Sequence, residues 1–317
     1  MTGWLARRWT EWQRATNWAL VFICLASVSG QAVAARVAVV LSEDSTHYQE
    51  AYQVIRAHLE AAGHKASRTY AEGVTSAALN DAPLAVAVGV RAAESLAVLP
   101  NRPPVLALLV PRAWYVKNGR TRLTEGGRYS ASAIYIDQPF ERQAALIRLA
   151  FPEARRVGVL LSAEQEGLLG ELDEALRSQQ LSLVHARLVD GEHLIKPLES
   201  VLSEADLLLA LPDPLAFNSN TAQSLFLTSY RYRDPVLGYS RSMTRAGALL
   251  SLHSSPAQIG RQAAEWVNYA LVTVPVHLPA PSYPAYFSIS INEQVARSLG
   301  FTLPSEAELE KRLGGVR

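Results

Sequence analysis

Four carboxylates, Glu43, Asp44, Asp137 and Asp213, stand where apolar runs end and the chain turns. Two of them held roughly 5–10 Å apart across a groove would form the acid and base of a glycosidase-like hydrolase. The other constellations that usually carry chemistry are missing. The seven histidines (His47, His58, His64, His185, His193, His253 and His277) are scattered, without H-E-x-x-H or any paired metal-ligand spacing. Gly238-Tyr239-Ser240-Arg241-Ser242 lacks the second glycine of a nucleophile elbow. Neither a P-loop nor a G-x-G-x-x-G follows the first apolar run. What the ends of these runs do carry is a set of small polar groups beside helix starts: Ser42 with Glu43, Gly89, Ser162 with Glu164, Asp213 with Asn218, and Tyr239 with Ser240. Gathered around one cleft they would orient a ligand by hydrogen bonds while apolar neighbours shed water. Singly, each is as readily a cap or turn residue: Ser162 and Ser240 are good N-caps, and Asp213 lies between two prolines.

Composition narrows the classes further. The 317 residues, 49% of them hydrophobic, hold Lys+Arg 30 against Asp+Glu 29. That length fits about two domains of roughly 100–200 residues. The balanced charge argues against a protein that grips nucleic acid by neutralising phosphates. Residues 1–34 read as an export signal: Arg7, Arg8 and Arg14 in front, an apolar stretch from Trp18 to Val28, then Ala32-Val33-Ala34 as the small-x-small site, with cleavage expected after Ala34. The competing reading, a membrane anchor, would need an apolar run of about 20 residues. A lipoprotein reading of Cys24 meets Ile23 where a small residue is wanted. Cleavage removes three Arg and one Glu, taking the formal net charge from +1 to −1, and takes with it four of the six Trp and the single cysteine. The mature chain would be thiol-free, which excludes disulfides, Cys-ligated zinc, iron–sulfur clusters and Cys nucleophiles. No cofactor and no metal is expected, and the periplasm is the expected location.

The elements that must position these groups alternate. Apolar runs at 36–42, 84–89, 104–110, 130–137, 156–162, 181–189, 206–213, 235–240, 248–253 and 286–292 read as strands, several apolar throughout, as strands covered on both faces are. Between them, stripes such as Tyr48, Tyr52, Ile55 and Leu59, or Ile259, Ala263, Trp266, Val267 and Leu271, mark helix faces turned to a core. The order repeats: RVAVVLS, helix, LAVAVG, helix, PVLALL is echoed by RVGVLLS, helix, DLLLALPD, helix, PVLGYS. Two similar α/β lobes follow, with three crossings, near 130–143, 248–256 and 286–292, acting as a hinge.

The second half also carries a resemblance. DLLLALPDPLAF, DPVLGYSRSMTRAGALLSLHSSPAQIGRQAAEWV and FSISINEQVARSLGFTLP, preceded by DQPFERQAALIRLAFPEARRVGVLLS, resemble the substrate-binding proteins of ABC transporters, the group with tryptophan- and other aromatic amino-acid-binding members. The resemblance runs from about Ser130 to about Leu303. It implies a type I periplasmic binding protein fold, two doubly wound parallel-sheet lobes joined by a three-crossing hinge, with lobe 1 at 35–136 plus 253–284 and lobe 2 at 137–252 plus 285–317. Family binding positions fall on Ser162, Asp213, Tyr239 and Ser240, and on the Ser42 and Gly89 turns; Glu43 stands beside the first of these turns. The first lobe departs from the pattern at Pro111-Arg112-Ala113-Trp114-Tyr115, followed by Lys117, Arg120, Arg122 and Arg128. This stretch reads either as a solvated loop with one buried Trp, Trp114, or as a holder of an aromatic or acidic solute. The expected function is non-enzymatic: a monomeric exported protein that closes on a small-molecule ligand and presents it to the permease of an ABC transporter. A sensing module read by a membrane receptor or kinase, and an envelope hydrolase built on Asp137 and Asp213, are the rivals.

Overall fold

The computed structural model describes residues 34–189, 193–213, 215–218, 220–273 and 275–314. The expected export signal, Ala34 apart, lies outside these residues. Strands β1 (Arg36–Leu41), β2 (Lys65–Tyr70), β3 (Ala85–Val88), β4 (Val105–Val110) and β5 (Ala131–Tyr135) form a wholly parallel sheet in the order β2-β1-β3-β4-β5. A second sheet contains β6 (Arg156–Ser162), β7 (Ser182–Leu188), β8 (Leu207–Leu209), β9 (Val236–Gly238), β10 (Leu250–His253) and β11 (Ser288–Ile291), in the order β7-β6-β8-β9-β10-β11. Only β10 and β11 pair antiparallel. The first five strands of each sheet therefore follow one permutation, and two doubly wound α/β lobes result.

Burial on both faces explains the apolar runs. In the first lobe Val37, Val39 and Leu41 pack against helix α1 (Thr46–Ala61), while Ala38 and Val40 face the side covered by α2 (Val90–Ala97). Downstream of β4 come α3 (Arg112–Trp114), a π-helical turn over Tyr115–Gly119 and α4 (Arg120–Thr124). The second lobe repeats the arrangement. Val157, Val159 and Leu161 face the core shared with α5 (Phe140–Ala150) and α6 (Leu169–Ser178); Leu160 faces the core shared with α7 (Ile195–Leu202) and α8 (Ala222–Tyr232). Four helices complete the chain: α9 (Arg241–Ala246), α10 (Pro256–Leu271), α11 (Glu293–Leu299) and α12 (Glu306–Gly314). A capping box starts α10: the Ser255 hydroxyl accepts from Gln258 N, the Gln258 side chain accepts from Ser255 N, and Pro256 opens the first turn. The buried stripe Ile259, Ala263 and Val267 then carries α10 back into the first lobe, onto the core of α1.

Three differences from the sequence expectation have physical causes. Strand β2, KASRTY, is too polar to read as a strand because it lies at the sheet edge and is half-buried. It fills the place in lobe 1 that β7 fills in lobe 2. The strand expected at 206–213 shrinks to Leu207–Leu209; its last ladder bond beyond that, Ala210 N to Leu237 O, gives way at Pro212, which has no N–H. Residues 112–124 are helical, not a loop, with Trp114 and Tyr115 buried.

The three crossings lie side by side and are stitched together. Gln138 Nε2, on the first, donates to Ser254 Oγ on the second at 2.8 Å. Ser254 Oγ donates to Tyr286 O on the third at 2.5 Å, and Arg142 Nη1 donates to both Gln138 Oε1 (2.7 Å) and Pro284 O (3.2 Å). Beyond the third crossing, two carboxylates of α12 serve the free edge of β11: Ile289 N donates to Glu310 and Ile291 N to Glu306, at 2.8 and 2.7 Å. Removing the Ser254 hydroxyl leaves an amide and a carbonyl unpaired in a half-buried site, at a cost of about 1–3 kcal/mol. Urea unfolding should show Ser254→Ala destabilised by that order and Ser254→Thr restored towards the parent; an Ala variant as stable as the parent would remove the stitch from the hinge.

Candidate functional site

Parallel strands place their carboxyl ends on one side, and at the 2-1-3-4-5 reversal the following helices diverge to opposite faces, opening a crevice. Both lobes turn that side to each other. A cavity of about 500 Å³ lies there, walled from lobe 1 by Ser42, Glu43, Tyr48, Val90, Arg91, Leu109, Pro111 and Trp114 and from lobe 2 by Ser162, Glu164, Gln165, Pro212, Asp213, Phe217 and Tyr239. Its floor includes Ile136 on the first crossing. Six of the eight residues expected to bind thus face one cavity. Gly89 and Ser240 are not in its wall. The Ser240 hydroxyl accepts from Met243 N as the cap of α9. Gly89, with φ +91°, stands directly behind Ser42 and Tyr48, where a Cβ would collide with both side chains; it lets β3 pass into α2 without pushing those two out of place.

The polar groups divide into those that build the wall and those that remain available. Ser42 Oγ donates to Val88 O and accepts from Ala92 N, both at 3.0 Å, tying the end of β1 to the start of α2. Asp213 accepts from Ser162 N through Oδ2 and from Leu215 N through Oδ1, both at 2.9 Å, joining the turns after β6 and β8. Gln165 Nε2 donates to Pro212 O at 2.7 Å and closes the same corner. Glu43 and Arg91 form a 3.3 Å ion pair at the rim, more than half exposed, where such pairs contribute little stability and exchange partners readily. The Tyr239 phenol is pushed up to about 12 by burial and by the Asp213 and Asp137 charges, so it stays a neutral hydrogen-bonding group. Tyr48 is likewise raised, by burial and by Glu43.

Apolar area comes from aromatic rings. Phe217 and Tyr239 meet edge to face at 6.1 Å between centroids. Trp114 is seated over Gly119, where a Cβ would approach the ring to 2.6 Å. The stretch is helical and not a solvated loop, but its Trp114 is buried in the lobe core as that reading expects, and the same ring also lines the cavity. Leu109 has φ +54° at an irregularity where β4 slips register against β5. An apolar residue held in that region is strained, and the bulge re-aims it into the cavity wall. Tyr48, Leu109, Arg91, Gln165 and Phe217 were not anticipated as wall residues; Tyr48 shares a helical stripe with core positions, and Leu109 carries its signal in a backbone angle, not in residue type.

Beside the cavity an ion pair spans the lobes. Arg112 Nη2 lies 2.7 Å from Glu171 Oε2 on α6, the Tyr283 hydroxyl donates to Glu171 Oε1 at 3.4 Å, and the guanidinium lies 5.5 Å from the Tyr283 ring centroid. Arg112 N donates to Asp137 Oδ2 at 2.7 Å, so Asp137 holds the start of α3 to the first crossing. Asp137 does not line the cavity, and Asp213 spends its oxygens on backbone, so the two carboxylates do not face a common substrate space. Among the described residues no cluster of His, Cys, Asp or Glu could hold a metal ion, and none of the histidines lines the cavity. The arrangement can enclose and orient a small molecule between aromatic walls and rim charges.

Burial raises the Asp137 carboxyl to about 6, against the backbone hydrogen bond from Arg112 N that favours its ionised form. The native protein therefore holds this proton at pH values where the unfolded chain has lost it, and stability falls as pH rises from about 4 to about 6. Asp137→Asn, which keeps an acceptor for Arg112 N, should flatten that part of the melting temperature against pH; an unchanged slope would assign it elsewhere. Separately, Gly89→Val should melt lower by the order of 1–3 kcal/mol from the strained φ alone.

The profile of the ABC transporter substrate binding protein family matches residues 135–311. No curated protein sequence matches the chain. Among solved structures, it is similar to a conserved domain protein from Vibrio cholerae O1 biovar El Tor, at 20% identity and TM-score 0.63 over 88% of this chain and 98% of that one. It is similar to the ABC domain in complex with L-Trp from Streptococcus pneumoniae, at 16% identity and TM-score 0.62 over the same shares. A ligand-free, open substrate-binding protein with adhesive properties from Clostridium difficile aligns at 15% identity and TM-score 0.68 over 86% and 96%. At such identities the likeness is one of fold: two doubly wound lobes of the type I periplasmic binding protein kind.

Proposed function

The chain belongs to the ABC transporter substrate-binding protein family, and from that premise we propose that it is an exported, non-enzymatic protein that closes its lobes on a small organic solute and hands it to the permease of an ABC transporter. The observation that carries this reading is the cavity of about 500 Å³ walled from both lobes at their strand ends. A solute that touches both walls stabilises only the shut arrangement, so affinity and closure rise together. In this reading the lobes are 35–136 with 253–284 and 137–252 with 285–317, and the leader is removed after Ala34.

An amino acid or a close relative suits the chemistry of the walls. Trp114, Phe217 and Tyr239 offer flat apolar area, while Glu43, Glu164 and Arg91 stand at the rim with charges for an ammonium and a carboxylate. The pneumococcal protein of the same fold holds L-Trp, which agrees with such walls. Ser42, Ser162 and Asp213 act here by fixing the walls, and Tyr239 by offering its phenol.

A thermal-shift screen of amino acids and small organic acids should find a solute that raises the melting temperature; at 100 times its Kd the stabilisation is about 2.7 kcal/mol. Tyr239→Ala should weaken that solute at least tenfold while the protein remains folded. A broad library without one stabilising member would overturn the transport reading. Glu171→Gln should open the lobes in the absence of solute, read as a larger radius of gyration in X-ray scattering, and should lower solute affinity; identical scattering and affinity would deny the Arg112–Glu171 bridge a part in closure.

A further inference from the structure

A second cavity opens beside the cleft, between α8 and α9, with a volume of about 260 Å³. Its wall includes the rings of Phe217 and Tyr239, and both also line the cleft. The edge-to-face pair they form, 6.1 Å between centroids, is therefore a partition with a chamber on each side. Behind it stand Ala222, Leu225, Phe226 and Met243, with the exposed Ala246 at the end of α9. Phe217, Phe226, Tyr239 and Met243 rest on the core of lobe 2 and are only partly buried, so each offers surface to a guest.

Charge is divided unequally between the two chambers. Glu43, Arg91 and Glu164 line the cleft, and no charged residue lines this annex. The annex has two polar members, Asn218 and Ser242. The Asn218 side-chain oxygen is turned to its own loop, accepting from Asn220 N and Thr221 N at 2.9 and 3.2 Å, and Ser242 is exposed in the first turn of α9. Strand order sets the same polarity: Glu164 follows β6, and the annex lies at the end of β9, two places along the sheet. A largely apolar chamber gains when an apolar group displaces its water. About 150 Å³ suffices for a benzene ring, so the annex admits a ring or a chain of several carbons. Met243 suits that role, because an unbranched thioether adapts to the shape of its guest.

We infer that a solute bound in the cleft as proposed above keeps its charged end there and sends its apolar end past the ring pair into the annex. The substrate class is then amphiphilic: an amino acid or close relative whose apolar side chain is longer than a single ring. Phe217 and Tyr239 turn about side-chain bonds, so the tail passes between the chambers without displacing backbone.

L-phenylalanine and 4-butyl-L-phenylalanine are the paired probes, with 1-hexanol as a chain without charge. Met1 and Met243 are the only methionines, so methyl-labelled methionine in the folded chain reports the annex, and labelled Val90 and Leu109 report the cleft. Both amino acids should move Val90 and Leu109, and only the butyl compound should move Met243. Each buried methylene strengthens binding up to about fourfold, so the butyl compound should bind at least tenfold tighter. Ala246→Trp, which fills the annex from an exposed position, should cut that advantage below twofold. A still Met243 while the butyl compound moves Val90 and Leu109, or equal affinities for the two, would overturn the annex and leave the solute reading standing. If neither amino acid moves Val90 or Leu109, the amino-acid reading fails, and 1-hexanol decides the annex alone: it should move Met243, and a fixed resonance overturns the site. A Met243 methyl that shifts with protein concentration in the absence of any probe would also overturn it, by giving the groove to a second copy of this chain.

Discussion

Every functional feature of this protein depends on one backbone constraint: parallel strands all end on the same side. In the 2-1-3-4-5 order the helices that follow β1 and β3, and again β6 and β8, leave to opposite faces of their sheet, and no further element covers the strand ends between them. One such gap is a shallow crevice. Two of them, turned face to face by three adjacent crossings, make an enclosure walled from both lobes. The wall chemistry follows from the constraint, because the residues at strand ends are those that must start a helix or turn the chain, and these are small and polar.

Those wall residues do two jobs with different groups of atoms. Ser42 and Asp213 satisfy backbone donors and acceptors at the strand ends, and in doing so they are removed from direct competition for a guest. Rings and rim charges form the rest of the wall: Trp114 held over Gly119, Phe217 against Tyr239, and the loosely paired Glu43 and Arg91. Rigid corners with adaptable faces are what a receptor needs to bind selectively without deforming, since pre-organisation lowers the entropy lost on binding.

The lobes and their order were legible because burial on both sides of a parallel sheet leaves long apolar runs, as in RVAVVLS and RVGVLLS. The edge strand KASRTY was illegible for the same reason inverted, since one flank faces solvent and its composition is that of a loop. At the cavity, the place of Ser42, Ser162, Asp213 and Tyr239 in the wall was legible from their position at run ends. Whether a hydroxyl there caps or binds depends on the position of its neighbours, and Ser240 resolves to a cap. Leu109 was invisible because its importance lies in a positive φ at a slipped register. The Arg112–Glu171 bridge was invisible too, because pairing across lobes leaves no trace in local spacing.

The two glutamates of α12 that receive Ile289 N and Ile291 N have a consequence beyond local satisfaction. An outermost strand with its amides unoccupied is a template on which another chain can extend the sheet. Side-chain oxygens occupy those donors here, and a helix cannot itself be extended as a strand. The second lobe is thereby insulated from strand-to-strand association at its one antiparallel border, and the safeguard of that edge against polymerisation rests on a pair of acid groups.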